Sequence, residues 1–355
     1  MRVHVYTSCM MTGNNNNSLL RSLHEARVER RKRSAPSGSS SSASVAGRSP
    51  RPAKMVRTVV DLTDDIDSSS SGALARARAH APPVARVANG YRLLPRDALL
   101  NQVMQPLIKS WERSTDVQLR ILTWNVADFD RESLVSKSAP ASWSVEKNRA
   151  ALLRLIRMTG ADVVLLQECP ASNFELCSLE FDQTKSCISH CGFIHAFVRR
   201  DEDAWQVESA KVLPSCPAIM LVLKKGEERI QVCTMHLQPG KDGGDIRKNQ
   251  ISSIAAAAAQ EFPLIVAGDA NMRNAEVKRV PSKLKAIKTP PTWDSRKNKY
   301  HGDGAFQFSC TFDRVFASSP SRVRNVKLVG QEELNHGGAS WNLSDHYGVL
   351  FDICK

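Results

Sequence analysis

Short apolar runs that end in polar residues recur through the C-terminal two thirds of this 355-residue chain. The runs are rich in β-branched and other apolar side chains, which is typical of buried strands. The predicted strands cover residues 120–126, 162–167, 218–223, 230–237, 264–268, 310–316 and 347–353. Helical spacing predicts two clear helices between them, at 145–158 and 245–260. This alternation indicates one mixed α/β domain of about 240 residues.

The polar residues at the ends of these runs predict a functional site. They are Asn125, Glu168, His236, Asp269 with Asn271, and Asp345 with His346. Functional groups collect at strand ends, because a rigid sheet meets variable loops there. One such residue alone would be explained by solvation, but five polar strand ends in one domain favour a shared site.

The residue types narrow the chemistry of that site. Carboxylates, amides and histidines suit a hard cation such as Mg²⁺, with Mn²⁺ as an alternative. The sequence has no Gly-rich phosphate loop and no serine nucleophile elbow, so it gives no support to nucleoside-triphosphate chemistry or covalent acyl transfer. Metal-assisted hydrolysis of a phosphodiester fits the residues present.

Other classes of protein fit less well. No window approaches the run of about 18 apolar residues that a membrane helix needs, so no membrane partner is expected. The nine cysteines are an odd number without a secretion signal, and we expect them to be reduced thiols. Cys187, Cys191 and His195 have a zinc-like spacing, but no second ligand pair follows nearby, so a zinc site is not predicted.

The net charge of +13 is unevenly distributed. Residues 1–113 carry 18 Lys and Arg against 8 Asp and Glu, which leaves only +3 for the remainder. Within that remainder, residues 273–327 hold 13 basic and 4 acidic side chains. This segment is a candidate surface for a polyanion, and a solvated basic face is the simpler alternative.

Residues 1–92 are poor in aromatic side chains and rich in Ser, Arg, Ala and Pro, which predicts a disordered basic tail. Arg30-Arg31-Lys32-Arg33 is a candidate nuclear-import signal. The first 24 residues contain no acidic side chain, so a mitochondrial transit peptide is the alternative. Val59, Val60 and Leu62, followed by aspartates, resemble a SUMO-interacting motif. Residues 93–116 form a predicted helical lead-in, with its helix at 96–113.

Six motifs, taken in order, resemble those of the endonuclease/exonuclease/phosphatase superfamily. They are Thr123-Trp124-Asn125, Leu166-Gln167-Glu168, His236-Leu237, Gly268-Asp269-Ala270-Asn271, Phe312-Asp313-Arg314 and Ser344-Asp345-His346. The resemblance implies a four-layer αββα sandwich, two mixed sheets flanked by helices, as a catalytic domain at 117–355. The segments around Arg273, Trp293 and Phe312 are most similar to the branch that hydrolyses 5′-phosphotyrosyl bonds between topoisomerase and DNA, leaving a 5′-phosphate.

The resemblance also implies roles for single residues. Glu168 would hold the metal, Asn125 would orient the metal shell or the phosphate, and His236 would contact the phosphate. Asp269 would activate the attacking water, and Asn271 would fix that water and stabilise developing charge.

On the other side of the phosphate, His346 would donate to the phosphoryl oxygen, with Asp313 orienting and charging the ring. Asp345 would support the base or the metal. The residues expected to contact the 5′ end of the DNA are Arg273, Trp293 and Phe312.

The sequence departs from the family pattern in three places, one of which is a short loop between Arg273 and Trp293. The family commonly has an acid at the position of Ala127, whereas the acid here is Asp128, the least supported candidate metal ligand. Residues 187–222 match the family poorly. The alternatives are an apurinic endonuclease or another DNA or RNA phosphodiesterase of the superfamily, and an inert SUMO-binding scaffold. The expected location is the nucleus.

Overall fold

The computed structural model describes residues 59–60, 112–127, 144–170, 181–189, 192–201, 203–301, 307–336 and 339–355. The basic cluster at 30–33 and most of the predicted helix at 96–113 lie outside these ranges. Glu112 and Arg113, the last two residues of that prediction, are described and are not helical.

Within these ranges the chain forms two α-helices, α1 (Val145–Met158) and α2 (Gly244–Ala257). The strands are β1 (Val59–Val60), β2 (Val117–Asn125), β3 (Val163–Cys169), β4 (Phe181–Ile188), β5 (Phe193–Arg199), β6 (Gln206–Val212), β7 (Ala218–Lys225), β8 (Glu228–His236), β9 (Leu264–Asp269), β10 (Lys285–Ala286), β11 (Trp293–Asp294), β12 (Ser309–Cys310), β13 (Asp313–Ala317), β14 (Val323–Val329), β15 (Glu333–His336), β16 (Ala339–Trp341) and β17 (Gly348–Cys354). Short 3-10 helices lie at Lys241–Gly243, Glu276–Arg279, Lys299–His301 and Pro320–Arg322. No helix in the described part of the chain has both the length and the apolar character needed to cross a membrane.

Two six-stranded sheets dominate the fold. The first has the order β14-β17-β2-β3-β5-β4, and the second has the order β10-β13-β9-β8-β7-β6. In each sheet one central pair is parallel, β2 with β3 and β8 with β9, and the other neighbours are antiparallel. Because the carboxyl ends of a parallel pair meet at one edge, each sheet brings two strand ends together there.

The layers follow from the alternation of side chains along the central strands. Ile121, Leu165 and Val232 belong to the apolar core between the two sheets. The opposite face of the first sheet packs on α1, and the opposite face of the second packs on α2. The expected four-layer sandwich of helix, sheet, sheet and helix is confirmed.

Local chemistry sets the ends of the helices. The Ser144 hydroxyl caps α1 by accepting a hydrogen bond from the Lys147 amide at 3.3 Å, as an N-cap serine does. Helix α2 is three residues shorter at its C-terminus than the predicted helix at 245–260. Beyond it, the Gln231 side chain both donates to the carbonyl and accepts from the amide of Ala259, each at 2.8 Å, which holds that residue outside the helix.

The predicted strand at 310–316 is wrong as a single element. It divides into β12 and β13, which belong to different sheets. The break is made by Thr292, whose hydroxyl accepts hydrogen bonds from the amides of Phe312 at 3.1 Å and Asp313 at 3.0 Å. Those amides are therefore withdrawn from strand pairing.

A tryptophan held between two glycines fixes the junction of β2 and β17. A Cβ atom at Gly330 would lie 2.4 Å from the Trp124 ring, and one at Gly348 would lie 3.0 Å from it. The Trp124 indole nitrogen donates to the His346 carbonyl at 3.0 Å. Only residues without a side chain allow the ring to occupy this position.

A third, small sheet contains part of the tail. Val59–Val60 pairs in parallel with Glu333 and Leu334 of β15, and β16 completes the sheet. The first half of the SUMO-interacting motif predicted from sequence therefore has extended backbone.

Candidate active site

The site lies at the shared edge of the two sheets, where the apolar rows facing the inter-sheet core give way to polar residues. In β2 and β9 the inward rows end in Asn125 and Asp269, and β8 ends in His236. The pairing register places Asp269 beside His236 on one side and beside Asp313 on the other. The alternation of the strands thus brings these side chains together.

A buried polar bridge separates the site from the apolar core. The Gln167 amide nitrogen donates to the hydroxyl of Thr123 at 3.2 Å in the first sheet and to that of Thr234 at 3.0 Å in the second. All three residues are fully buried. Satisfied buried polar groups favour a single arrangement, so this bridge fixes the position of one sheet edge relative to the other.

Asp269 is the central residue of the site. Its Oδ2 accepts a hydrogen bond from Asn125 Nδ2 at 3.0 Å and lies 3.5 Å from His236 Nε2, while its Oδ1 accepts from the Asn271 amide at 2.9 Å. The preceding residue is Gly268, where a Cβ would lie only 2.1 Å from the Met235 carbonyl oxygen. The strand can therefore present Asp269 here only with glycine before it.

Glu168 approaches from the first sheet with a positive φ of 48°, a conformation that few non-glycine residues adopt. Its Oε1 lies 3.7 Å from His236 Nε2, and its side chain is 13% exposed. Glu168, His236 and Asp269 can bring one ligand atom each within 4.8 Å of one another. Two carboxylates, one of them 13% exposed, fit a hard divalent cation that keeps several waters.

Asn125 contributes an amide oxygen to the same corner. Its Oδ1 accepts a hydrogen bond from the Ala127 amide at 3.0 Å, and a carbonyl oxygen has a second lone pair that remains for a metal shell. Asp128 lies outside the described residues.

The second histidine of the site belongs to a charged pair. His346 Nδ1 lies 2.7 Å from Asp313 Oδ2, and both side chains are buried. Burial disfavours the imidazolium, but the carboxylates of Asp313, Asp345 and Asp269 outweigh that penalty and hold the pKa of His346 well above its usual value. The raised pKa favours the imidazolium form of His346, in which Nδ1 donates to Asp313 and Nε2 carries the second proton.

Thr292 and Ser344 hold this pair in place. The Thr292 carbonyl accepts from the Tyr347 amide at 2.7 Å, and its hydroxyl accepts from the Asp313 amide. The Ser344 hydroxyl donates to the Asn125 carbonyl at 2.7 Å and accepts from the His346 amide at 3.1 Å. Neither residue was assigned a role from sequence, although Ser344 opens the motif Ser344-Asp345-His346 and Thr292 directly precedes Trp293.

Three aromatic rings extend from the charged pair toward solvent. Phe312 lies 6.2 Å from the His346 ring and 6.2 Å from Trp293, and Phe308 lies 5.7 Å from Trp293. The Arg273 guanidinium stands 5.9 Å from the Phe312 ring and donates to the Gly240 carbonyl at 3.2 Å. Phe308, which is 36% exposed, was not predicted because nothing in its sequence context distinguishes it from an exposed loop residue.

Most of the residues predicted for the site lie close together, and Asn271 and Asp345 lie at its margin. The Asn271 side chain donates to the Leu237 carbonyl at 3.1 Å and remains half-buried. The negative charge of Asp345 helps to raise the pKa of His346. Among the described residues, the two clusters that could hold a metal ion are Glu168, His236 and Asp269, and Asp269, Asp313 and His346, and neither includes Asp345. The His195 ring contacts Ser186 Oγ at 2.7 Å and the Pro170 carbonyl at 3.1 Å, and Cys191 lies outside the described residues.

The sequence profile of the Endonuclease/Exonuclease/phosphatase family matches residues 122–346. The chain is 23% identical over 265 residues to Tyrosyl-DNA phosphodiesterase 2 of Danio rerio, a match that covers 66% of this chain and 66% of the relative, just under two thirds of its length.

Solved structures share the fold. Truncated TDP2 of Caenorhabditis elegans matches with a TM-score of 0.53 at 19% identity, covering 67% of this chain and 97% of that one. TDP2 of D. rerio complexed with single-strand DNA product matches with a TM-score of 0.55 at 20% identity, covering 67% and 99%.

Proposed function

This chain belongs to the endonuclease/exonuclease/phosphatase family, and on that premise we propose that it hydrolyses 5′-phosphotyrosyl bonds in DNA, leaving a 5′-phosphate. The observation that carries the proposal is the position of Asp269. This carboxylate lies beside His236 and in register with Asp313, the partner of the His346 cation. A phosphodiester placed between the rings of His236 and His346 would meet Asp269 as a base and the positive charge of His346 together.

The residues divide the chemistry as follows. Asp269 takes a proton from the attacking water, and Asn125 holds the carboxylate in position through the bond to Oδ2. His346 donates from Nε2 to a nonbridging phosphoryl oxygen, where negative charge grows in the transition state. His236 contacts another oxygen of the same group. As the water oxygen bonds to phosphorus, the bond between phosphorus and the tyrosyl oxygen breaks, and the tyrosine leaves as its phenolate.

Glu168, with the Asn125 amide oxygen beside it, would hold a divalent cation, Mg²⁺ or Mn²⁺. When bound, that cation would stabilise charge on the phosphate as a Lewis acid. The donor set of carboxylate and amide oxygens supports this assignment.

The aromatic rings and Arg273 support a nucleic-acid end as the substrate. Trp293, Phe308 and Phe312 offer faces and edges on which an unpaired base stacks, and Arg273 offers charge for its phosphate. Exposed lysines continue along the chain from this point, at 278, 283, 285, 288 and 297. A basic surface of this kind would bind the phosphates farther along the strand.

The test is a direct comparison of substrates with the full-length protein. We expect a 5′-tyrosyl oligonucleotide to be converted to a 5′-phosphate in the presence of Mg²⁺, and an abasic duplex to be cleaved poorly. Chelation should abolish turnover, and added Mg²⁺ or Mn²⁺ should restore it. Preferred cleavage of the abasic duplex would establish the apurinic endonuclease alternative, and no turnover of either substrate would favour the inert scaffold.

The tail supports a second part of the proposal, recruitment in the nucleus to sites of DNA repair. Val59 and Val60 already have extended backbone, which is the conformation that adds a strand to a partner sheet. Asp61, Asp64 and Asp65 supply charge for a basic groove on SUMO. A labelled peptide spanning 57–70 should bind SUMO, and the same peptide with alanine at Val59, Val60 and Leu62 should not. Equal, negligible shifts for both peptides would exclude the motif.

A further inference from the structure

The hairpin of β4 and β5 reaches the active site although its sequence matches the family poorly. Ser189, directly after β4, places its hydroxyl oxygen 3.1 Å from His236 Nδ1. On the other side of that ring, Nε2 faces Asp269 at 3.5 Å and Glu168 at 3.7 Å. We infer that Ser189 is a positioning residue that keeps His236 in the tautomer with its proton on Nε2, the nitrogen that faces the phosphate. This inference deepens the proposed function and rests on it for its catalytic consequence.

The proton assignment follows from what surrounds the ring. A neutral imidazole carries one proton, so one ring nitrogen donates and the other accepts. If Nδ1 carried the proton, the lone pair of Nε2 would point toward two carboxylates, an arrangement that electrostatic repulsion disfavours. With the proton on Nε2, that nitrogen donates toward the carboxylates or the phosphate, and Nδ1 accepts from the Ser189 hydroxyl.

The serine hydroxyl has a second acceptor within reach, the Gly192 carbonyl at 3.3 Å. That oxygen already accepts the Ser189 amide proton at 3.0 Å, so it does not depend on the hydroxyl. His236 Nδ1 belongs to a ring that is 1% exposed and lies 3.1 Å from the hydroxyl oxygen. The hydroxyl proton is therefore available to Nδ1 while the Gly192 carbonyl keeps its bond from the Ser189 amide.

The backbone of the same turn is held against the site. Gly192 has a φ of 73°, and a Cβ there would lie 3.0 Å from the Cys169 carbonyl oxygen and 3.3 Å from the Glu168 carbonyl carbon. This close approach fixes Ser189 relative to the strand that presents Glu168. The hydroxyl is thus aimed at His236 by backbone contacts that do not involve the ring.

The tautomer can be measured without substrate or metal. Full-length protein labelled with ¹⁵N at its nine histidines would be observed at about pH 9, where an ordinary imidazole is neutral. His236 would be assigned through the loss of its signals in His236→Gln. We expect the shifts of the Nε2–H tautomer in the parent protein, a mixture of tautomers in Ser189→Ala, and a return toward the parent pattern in Ser189→Thr, which retains a hydroxyl.

The hairpin offers a matched control. Ser186 makes the same kind of bond to His195 Nδ1, at 2.7 Å, but the other nitrogen of that ring contacts the Pro170 carbonyl at 3.1 Å rather than a carboxylate. Ser186→Ala should alter the His195 signals and leave those of His236 unchanged. If Ser189→Ala also left the His236 tautomer unchanged, or if Ser186→Ala disturbed it equally, the inference would be overturned.

The kinetic consequence is tested separately on the 5′-tyrosyl oligonucleotide. Ser189→Ala should lower kcat between about 2- and 10-fold, the equivalent of one neutral hydrogen bond, with KM unchanged and with recovery in Ser189→Thr. A shifted tautomer with unchanged kcat would remove His236 tautomer control from catalysis. Absence of turnover by the parent protein would contradict the proposed function while the NMR result still decided the role of Ser189.

Discussion

The two histidine regions of the site look alike in outline and differ in what faces Nδ1. His346 is 7% exposed and faces a carboxylate at 2.7 Å, whereas His236 is 1% exposed and faces a hydroxyl at 3.1 Å. A carboxylate partner stabilises a charged ring, while a hydroxyl can donate or accept and adds no charge. Partner chemistry, rather than burial, therefore separates the ring whose cationic form is stabilised from the ring whose Nδ1 meets a neutral hydroxyl.

The largest expected effect comes from the residue that both regions share. Asp269→Asn should fold normally and lose about 10²- to 10⁴-fold in rate, the usual value of a positioned general base, while substrate binding survives. Single-turnover kinetics with a binding titration would measure both. Asp245→Asn is the control, because that carboxylate is 84% exposed and pairs with Arg279 on the surface. Near-normal turnover in Asp269→Asn would remove this residue from the mechanism.

The second-largest effect is expected from the pair of His346 and Asp313. Asp313→Asn should lower kcat by about 10- to 100-fold, the rate equivalent of one hydrogen bond to a charged group. Because the pKa of His346 is raised on folding, its charge stabilises the fold fully below about pH 6.5, and this stabilisation is lost as pH rises through the raised pKa. As pH rises, Asp313→Asn should therefore lose activity and stability at a lower pH than the parent protein does.

Measuring rate and thermal midpoint across the alkaline range checks this expectation. An alkaline limb that does not move in Asp313→Asn would show that the pair is not the source of the charge on His346. The comparison between the two histidines would then fail.

On the His236 side, Glu168→Gln should raise the Mg²⁺ concentration needed for half-maximal rate by about 10- to 100-fold, since even residues that only support a metal ligand have effects of this size. A neutral amide is a poorer ligand for a hard cation. Glu228→Gln at the opposite end of β8 is the matched control. Unchanged metal dependence would assign the cation to other residues.

The smallest effect belongs to the aromatic cluster beside His346. Trp293→Ala should weaken binding of a single-strand end by about 1 to 3 kcal/mol if the ring stacks on a base. Fluorescence anisotropy with a labelled oligonucleotide measures the loss. If the variant lowers the thermal midpoint but binds normally, Trp293 is a packing residue and the cluster ends at Phe312.

The sequence predicted a strand and the polar residue at its end where the pattern within that one strand was sufficient. Central strands such as β3 and β9 are apolar on both faces, and their terminal polar residues stood out for that reason. Edge strand β6 was missed because its exposed face carries Glu208 and Lys211 and no apolar alternation marks it. Local pattern reports burial well and strand position poorly.

Contacts between distant segments could not be predicted in the same way. Thr292 acts on Phe312 and Asp313 across a sheet boundary, and Ser189 acts on a histidine 47 residues away. Their roles depend on which strands are neighbours, and no local spacing encodes that. The groups of the site were therefore predictable, whereas the residues that hold them in place were not.

The tryptophan between two glycines has a consequence for how this enzyme can diverge. The Trp124 ring fills the space next to Gly330 and Gly348. A side chain at either glycine would therefore require a smaller residue at position 124. A smaller residue there would leave a cavity next to the His346 carbonyl. A change at any one of the three positions alone therefore costs stability until another changes with it. Sequences descended from this one should accordingly vary at these positions as a unit or not at all.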